Sequence, residues 1–252
     1  MKVIHLFCLF KSVLPIICRI SYVLSRLRKK GYYQIRPFKL KSWHDGYGYF
    51  KAEHSSGKVF IKVDTVFNFV ENEKIFYECL LDKLAKNLIP LRDYLEGDDV
   101  QIVIFDCVEP TRELDLEYVL SNPEILLEVV FILKKIKAEG IIHRDIKLDN
   151  FMIVGDALKI IDFTFAQSLS NSGNFKELEI VTSNNLEILK NLGSPYKPEE
   201  FIWNDFISFK NVLEEMEISK ISNDKELQNI ILNISNELNS LSKDAYYYLS
   251  RS

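Results

Sequence analysis

The sequence predicts an α+β chain in which a small antiparallel sheet precedes a mainly helical part. The segment 47–63, YGYFKAEHSSGKVFIKV, is typical of two strands joined by a Ser-Ser-Gly turn. Helical periodicity follows in the segments 71–88, 123–140 and 203–216. With 252 residues and 47% hydrophobic content, the chain is long enough to build both parts.

The segment 141–150, IIHRDIKLDN, places an Asp, a Lys and an Asn at offsets of two and five. In such a loop the carboxylate of Asp145 can orient a hydroxyl and accept its proton, and Lys147 can neutralise charge on a moving phosphoryl group. The amide oxygen of Asn150 can ligate a metal ion. This spacing indicates phosphoryl transfer, and the loop resembles the catalytic loop of the protein-kinase superfamily.

A second motif follows in the order that this resemblance requires. Seventeen residues after Asp145, the segment LKIIDFTFA carries Asp162 and resembles the family's metal-binding Asp-Phe-Gly, with Thr164 in the place of the glycine. The intervening FMIVGDALKII is typical of a hairpin around a Gly-Asp turn, which would bring Asn150 and Asp162 close together. The resemblance implies that both residues hold Mg²⁺ against the phosphates of ATP.

Lys62 lies in the second predicted strand and resembles the lysine that holds the α and β phosphates in this family. The alternative is a solvated lysine on an amphipathic strand, although its apolar flanks favour burial. In the family this lysine pairs with a Glu on the following helix. Glu73 falls within the apolar arc of that helix, whereas Glu71 and Glu78 fall on the opposite side. Glu73 is therefore the predicted partner.

The segment 45–51, DGYGYFK, resembles a phosphate-covering loop in which Gly46 and Gly48 are present and Lys51 replaces the third glycine. Phe60 replaces the small residue that the family places beside the adenine. Farther along, a strand-like run at 102–105 breaks at 106–110, DCVEP. The resemblance implies that this break is a hinge whose backbone reads the adenine edge.

Asp205 lies near the start of the segment 203–216, and two interpretations of it stay open. It is either the buried residue that anchors the catalytic loop in this family or an ordinary helix N-cap. Arg144 resembles the arginine that often pairs with a phosphorylated activation segment, for which Thr182 and Ser183 are candidate sites. No Ala-Pro-Glu sequence follows, and only 107 residues follow Asp145, so reduced peptide-docking helices are expected.

The resemblance implies a bilobal protein-kinase-like fold with a small antiparallel-sheet N-lobe, about 32–105, and a mainly helical, shortened C-lobe, about 109–252. The expected activity is transfer of the γ-phosphate of ATP to an alcohol hydroxyl. The short C-lobe and the apolar N-terminus favour a sugar of lipopolysaccharide or another envelope glycan as acceptor, as in small bacterial kinases. A Ser/Thr protein kinase is the alternative, and a pseudokinase or interaction module is the alternative of another class.

Residues 1–41 contain ten Lys or Arg and no Asp or Glu, whereas the rest of the chain contains 22 basic and 36 acidic residues. Drawn as a helix, the first 27 residues gather Lys11, Arg19 and Arg26 on one side of a mostly apolar surface. We therefore predict that residues 1–31 lie on an anionic membrane, with the domain 32–252 in the cytoplasm at the inner face of the cell membrane. A signal peptide and a helix packed on the chain's own core are the rival interpretations.

The acidic charge of the remaining chain disfavours nucleic acid as a partner. The four cysteines form no CxxC pair, and the four histidines form no HxxxH pair. Reduced thiols in a cytosolic compartment are therefore expected.

Overall fold

The computed structural model describes residues 2–43, 46–67, 69–97, 99–169, 183–216 and 225–249 and, of residues 2–12, 183–185 and 226, the backbone alone. The chain forms two compact units, Met1–Tyr77 with Ile89–Glu109 and Glu78–Leu88 with Pro110–Ser252. The first unit carries a five-stranded antiparallel sheet and the second unit carries most of the helices, which confirms the predicted fold class. The chain crosses between the units after Tyr77, after Leu88 and after Glu109, and the last crossing lies within the segment where the sequence indicates a hinge.

The sheet of the first unit has the strand order β1-β2-β3-β5-β4, and all neighbouring strands are antiparallel. Its strands are β1 Tyr33–Pro37, β2 Tyr47–His54, β3 Gly57–Asp64, β4 Leu91–Gly97 and β5 Val100–Asp106, and its helices are α1 Lys2–Lys29 and the first part of α2 Val70–Leu84. Lys62 lies between Tyr49 of β2 and Val103 of β5. The hairpin predicted over 47–63 is confirmed.

The apolar face of α1 packs against this sheet. Ile16, Val23 and Leu27 have no exposed surface and share one core cluster with Ile61 and Val63 of β3. Because successive side chains of a strand point to opposite faces, α1 covers the face of the sheet opposite to Lys62. Over residues 13–27, the amphipathic pattern that indicates a membrane helix in the sequence is therefore accounted for by packing on the chain's own core.

Two of the basic residues on the polar side of α1 bind the hairpin of β4 and β5. The guanidinium of Arg19 lies 3.0 Å from the carboxylate of Asp99, and Arg26 donates to the backbone carbonyl of Glu96 at 2.7 Å. These two residues are thus engaged within the chain, and the membrane location stays a prediction. None of the described helices is both long and apolar enough to span a membrane.

We expect Ile16→Ala to lower the free energy of unfolding by about 2–5 kcal/mol, because it removes a fully buried side chain from a packed core. The measurement is urea unfolding followed by fluorescence. Ile17→Ala is the matched control, since the neighbouring side chain is 47% exposed and its truncation should change stability by less than about 1 kcal/mol. Equal losses in the two variants would contradict the packing of α1 on the sheet.

The second unit contains five complete helices among its described residues: α3 Leu116–Ser121, α4 Ile125–Ala138, α5 Ser183–Asn191, α6 Asp205–Glu215 and α7 Lys225–Leu241. Short strands form three small sheets: β6 Arg112–Glu113 with β8 Phe151–Val154 and β9 Ala157–Ile160, β7 Ile141–Ile142 with β10 Gln167–Ser168, and β11 Ile202–Trp203 with β12 Tyr247–Tyr248. The hairpin predicted between Asn150 and Asp162 is thus confirmed as β8 and β9.

The central helix α4 delivers the chain to the predicted catalytic loop. Its buried residues recur with helical spacing and pack on α6 and α7. The helix ends before Gly140, which has a φ of 67°. Such a left-handed residue favours glycine and reverses the chain after a helix, as the sequence predicts. The strand β7 follows at once, and its residues are buried.

Candidate active site

In the first unit, the ammonium of Lys62 lies 2.7 Å from Oε1 of Glu73, and the two side chains are only 7% and 3% exposed. Lys62 comes from the centre of β3, and Glu73 comes from the first turn of α2. The structure therefore brings together the lysine and the glutamate that the sequence pairs. Their role in holding a nucleotide stays a prediction.

The tight connection between β3 and α2 depends on Asp64, which sequence reasoning missed. Its carboxylate has no exposed surface and accepts hydrogen bonds from the backbone N–H groups of Val66, Phe67 and Phe69 at 2.8–2.9 Å. These bonds satisfy the amides of a turn that has little secondary structure of its own. Asp64 is therefore a structural residue that helps to place Glu73 opposite Lys62.

We expect Glu73→Gln to lower the free energy of unfolding by about 3 kcal/mol, because it removes the carboxylate charge that lies 2.7 Å from the buried Lys62 ammonium. If the pair orients Lys62 toward ATP, the KM for ATP should rise as well. Glu78→Gln is the control, since Glu78 belongs to the same helix but is exposed. Urea unfolding and ATP titrations would check both effects. Equal behaviour of the two variants would contradict the assignment of Glu73.

The predicted phosphate-covering loop is not a loop at Gly48, which lies inside β2. A Cβ at this position would lie 2.6 Å from Cδ1 of Ile16, so the close approach of α1 explains the glycine. Gly46 precedes the strand with a φ of 87°, and Asp45 lies outside the described residues. Among the described residues between β1 and β2, Leu40–Ser42 form a short 3-10 helix. Any role of the two glycines toward a nucleotide stays a prediction.

An aromatic cluster lies on the same sheet face as Lys62. The ring of Phe60 stacks with Tyr49, with 6.0 Å between centroids, and meets the edge of Phe38 at 5.8 Å. Lys51, which occupies the third glycine position, lies 4.6 Å from the Phe38 ring and 3.0 Å from the carboxylate of Glu109. The large side chains that depart from the family pattern therefore pack on one another.

In the second unit, Asp145, Lys147 and Asn150 form one hydrogen-bonded group. Oδ2 of Asp145 accepts from the Lys147 ammonium at 2.6 Å and from the Asn150 amide at 3.0 Å. The same amide donates to the backbone carbonyl of Asp145 at 2.7 Å. Among the described residues, both side-chain contacts end on Oδ2, so Oδ1 is the oxygen that can accept the proton of a hydroxyl. The Asp145 side chain is mostly buried, which restricts its motion. It is still 13% exposed, so a hydroxyl can reach it.

Asp205 anchors this loop from α6. Its carboxylate accepts from the backbone N–H groups of His143 and Arg144 at 2.7 and 3.0 Å. The N-cap of α6 is Asn204, whose side chain accepts from the first amides of the helix. Of the two interpretations left open by the sequence, the loop anchor is confirmed and the N-cap is wrong. Burial raises the pKa of Asp205 above its usual value, against the lowering effect of His143 and of both amide bonds.

His143 connects the catalytic loop to the segment that carries Asp162. Its Nε2 lies 3.0 Å from the carbonyl of Ile161, its Nδ1 lies 3.3 Å from the amide of Asp145, and its ring meets the edge of Phe163 at 4.7 Å. In this arrangement Nδ1 can accept from the Asp145 amide while Nε2 donates to the Ile161 carbonyl. Sequence reasoning missed this role, although His143 belongs to the quoted loop motif.

Asp162 has a φ of 66°, a left-handed conformation that a non-glycine residue adopts only when its surroundings enforce it. The hydroxyl of Thr164 donates to Oδ1 of Asp162 at 2.7 Å, so the residue that replaces glycine holds the carboxylate directly. Within the described ranges, no three His, Cys, Asp or Glu side chains form a metal-binding group. One carboxylate and one amide oxygen suit Mg²⁺, which takes its other ligands from waters and phosphates. Asp162 and Asn150 therefore fit the predicted cation.

Arg144, expected near a phosphorylated segment, is only 2% exposed. Its Nε donates to the carbonyl of Phe165 at 2.7 Å, and its guanidinium carbon lies 4.9 Å from the ring centre of Trp203 and 5.1 Å from that of Tyr247. Thr182 and the side chain of Ser183 lie outside the described residues. The contact with Tyr247 was not foreseen, because the sequence gives no sign that the last strand returns to the catalytic loop.

Comparison with known proteins finds relatives among yeast kinases. SNF1-activating kinase 1 of Saccharomyces cerevisiae is 32% identical over 55% of this chain, serine/threonine-protein kinase MPS1 of the same yeast is 31% identical over 42%, and serine/threonine-protein kinase cds1 of Schizosaccharomyces pombe is 31% identical over 46%. These alignments span only 12%, 15% and 28% of the three relatives.

A solved structure of the kinase PK-1 of the Cydia pomonella granulovirus aligns with 59% of this chain and 60% of its own chain, with 19% identity and a TM-score of 0.44. The family model described as protein kinase domain matches residues 58–246, well over half of the chain. This match includes Lys62, Glu73, the catalytic loop and Asp162. The chain therefore belongs to the protein kinase domain family.

Proposed function

We propose that this chain is an ATP- and Mg²⁺-dependent kinase that transfers the γ-phosphate to a Ser or Thr hydroxyl of a protein. The observation that carries the proposal is the group of Asp145, Lys147 and Asn150, fixed on Asp205. Two relatives are serine/threonine-protein kinases by name, which supports a protein acceptor over the glycan acceptor that the sequence favours. Members of the family transfer phosphate to hydroxyl groups, and this chain has the residues that such a transfer needs.

Each residue has a separate role in this proposal. Oδ1 of Asp145 orients the acceptor hydroxyl and takes its proton, while Lys147 and Asn150 fix the other carboxylate oxygen. Lys62, held by Glu73, binds the α and β phosphates. Asn150 and Asp162 would hold Mg²⁺, which supplies positive charge against the phosphate oxygens. Lys147 is 36% exposed and can also approach the transferred phosphoryl group.

The experiment is transfer of label from γ-labelled ATP, with magnesium, to a lysate that contains both proteins and membrane glycolipids. Wild type is compared with Asp145→Ala and Asp162→Ala. Label on protein that disappears in both variants would support the proposal. Label in the lipid or glycan fraction would overturn the protein acceptor in favour of a sugar of lipopolysaccharide or another envelope glycan.

If no label exceeds the background of the variants, nucleotide binding separates the remaining possibilities. A thermal shift with ATP but no transfer would indicate a nucleotide-binding pseudokinase. Loss of that shift in Lys62→Met would assign the binding to the predicted site. No shift at all would indicate an interaction module that has kept only the fold.

We also propose that α1 brings the chain to the cytoplasmic face of an anionic membrane. The outward side chains of Leu14 and Ile17 are 41% and 47% exposed, and Arg28 and Lys29 are exposed at the end of the helix. Apolar side chains beside basic ones are typical of helices that bind anionic lipid surfaces. The proposal differs from the sequence prediction in relying on this outward face and not on Arg19 or Arg26.

Sedimentation with phosphatidylcholine vesicles, with and without phosphatidylserine, tests the location. Wild type should sediment with the anionic vesicles, and the double variant Leu14→Ser with Ile17→Ser should remain in solution. Leu232→Ser is the control, because Leu232 is 59% exposed but lies in the second unit. Failure of the wild type to sediment, or equal sedimentation of all three proteins, would contradict a membrane role for α1.

A further inference from the structure

The side chain of Arg144 is enclosed by two aromatic rings from distant parts of the second unit. We propose that Trp203 and Tyr247 are positioning residues, which hold the guanidinium of Arg144 and thereby keep Asp145 in its working geometry. The proposal deepens the proposed function, because it rests on Asp145 as the base of the transfer. It assigns a role near the reacting groups to the last strand of the chain, which otherwise lies far from them in sequence.

The guanidinium packs against two rings that contact each other at an angle, with 6.0 Å between the ring centres of Trp203 and Tyr247 and 52° between their planes. The guanidinium carbon lies 4.9 Å from the Trp203 ring centre and 5.1 Å from the Tyr247 ring centre, within the range of favourable cation–π contact. Trp203 has no exposed surface and Tyr247 is 7% exposed, so water does not weaken the contact. The carbonyl of Phe165 accepts from Nε at 2.7 Å and fixes the rotation of the side chain.

Both rings are themselves fixed. Trp203 pairs with Tyr247 across β11 and β12, and its indole N–H donates to the carbonyl of Leu192 at 2.9 Å. The next residue, Gly193, has a φ of 76°, and a Cβ there would lie 2.5 Å from the backbone oxygen of Arg144. The chain therefore presses directly against the catalytic loop at this point. The enclosure is rigid because strand pairing, a hydrogen bond and backbone contact all support it.

The enclosure acts on Asp145 through the backbone of Arg144. This residue has a φ of 71°, a conformation that costs energy for a non-glycine residue and persists only when it is held. Its amide is held by Asp205 at 3.0 Å, and its side chain is held by the rings. With both ends fixed, the strained backbone directs the following residue, Asp145, toward Lys147 and Asn150. Loss of one ring should let the backbone relax and move the carboxylate.

The test compares Tyr247→Leu with Tyr247→Phe and with Tyr248→Leu. Leucine keeps an apolar side chain at residue 247, though a smaller one, and offers no π face; phenylalanine keeps the face, and Tyr248 is a neighbouring tyrosine that is 58% exposed. In Tyr247→Leu we expect kcat to fall about tenfold with the KM for ATP unchanged, and the amides of 141–150 to exchange hydrogen about tenfold faster. Tyr247→Phe should restore most of the activity and protection, and Tyr248→Leu should match wild type.

A double-mutant cycle shows whether Tyr247 acts through Arg144. In an Arg144→Met background, Tyr247→Leu should have little further effect on kcat, whereas a purely structural role would give additive losses. Equal exchange of 141–150 in all variants would overturn the proposal, and so would a uniform rise of exchange over the whole chain. Hydrogen exchange needs no substrate, so it decides the positioning role even if the wild type transfers no phosphate. If the wild type transfers no phosphate but exchange rises as expected in Tyr247→Leu, the proposed function is overturned and the positioning role is supported.

Discussion

Asp145→Ala should reduce phosphoryl transfer by about a thousandfold, because it removes the group that orients the acceptor hydroxyl and takes its proton. The loss should appear in kcat, while the KM for ATP stays near that of the wild type, since the proposed nucleotide contacts lie at other residues. Lys147 and Asn150 would also lose their shared acceptor, Oδ2. The measurement is steady-state transfer of labelled phosphate to the acceptor fraction identified in the lysate, with ATP varied at fixed acceptor.

Asp149→Asn is the matched control for this substitution. Asp149 lies in the same loop, carries the same charge and is exposed. Its change removes one negative charge near the site without touching the group around Asp145, so kcat should change by less than about threefold. A thousandfold loss in both variants would show that the charge of the loop matters and that Asp145 is not the specific base. Unchanged activity in Asp145→Ala would remove this residue from the mechanism.

Asp205→Ala should have the second largest effect, on stability and activity together. It leaves the backbone N–H groups of His143 and Arg144 buried without their acceptor, at a cost of about 1–3 kcal/mol for each group. We expect the free energy of unfolding to fall by about 2–5 kcal/mol and transfer to fall at least tenfold, because the loop loses its anchor. Asp205→Asn should lie between the wild type and the alanine variant, since its amide keeps one acceptor oxygen.

Asp115→Ala separates this effect from ordinary helix capping. Asp115 caps α3 by accepting from the amide of Tyr118 at 2.8 Å and is exposed. Its loss should cost about 1 kcal/mol with little change in activity. Urea unfolding, hydrogen exchange of 141–150 and transfer rates would be measured on all variants. If Asp115→Ala and Asp205→Ala behave alike, the anchor role of Asp205 is contradicted.

The parts of the site that could be predicted from the sequence are those in which local spacing decides the geometry. Asp145, Lys147 and Asn150 share one loop, and a short hairpin leads from it to Asp162, so their order along the chain nearly fixes their arrangement. The resemblance implied a glutamate partner for Lys62 on the following helix, and helical periodicity selected Glu73 for it. For Asp205, periodicity indicated a position at the start of a helix. It could not indicate which backbone N–H groups would donate hydrogen bonds to its carboxylate.

The parts that could not be predicted depend on contacts between distant segments. Periodicity identifies the apolar face of α1 but not what covers it, so a lipid surface and the chain's own sheet give the same pattern. Gly48 resembles a loop glycine in sequence, whereas its neighbour Ile16 belongs to another element. Tyr247 reaches Arg144 only because β12 pairs with β11. Each of these depends on tertiary packing, which local patterns do not contain.

The packing of α1 also has a practical consequence for how this domain is delimited. The family match begins at residue 58 and ends at 246, so a fragment cut to those limits would lack α1, β1 and β2 and would end just before Tyr247. Such a fragment would expose the apolar side of β3 and leave its edge unpaired, which invites aggregation. Recombinant work, and any boundary drawn for transplanting this domain into another protein, should therefore retain the chain from α1 through β12.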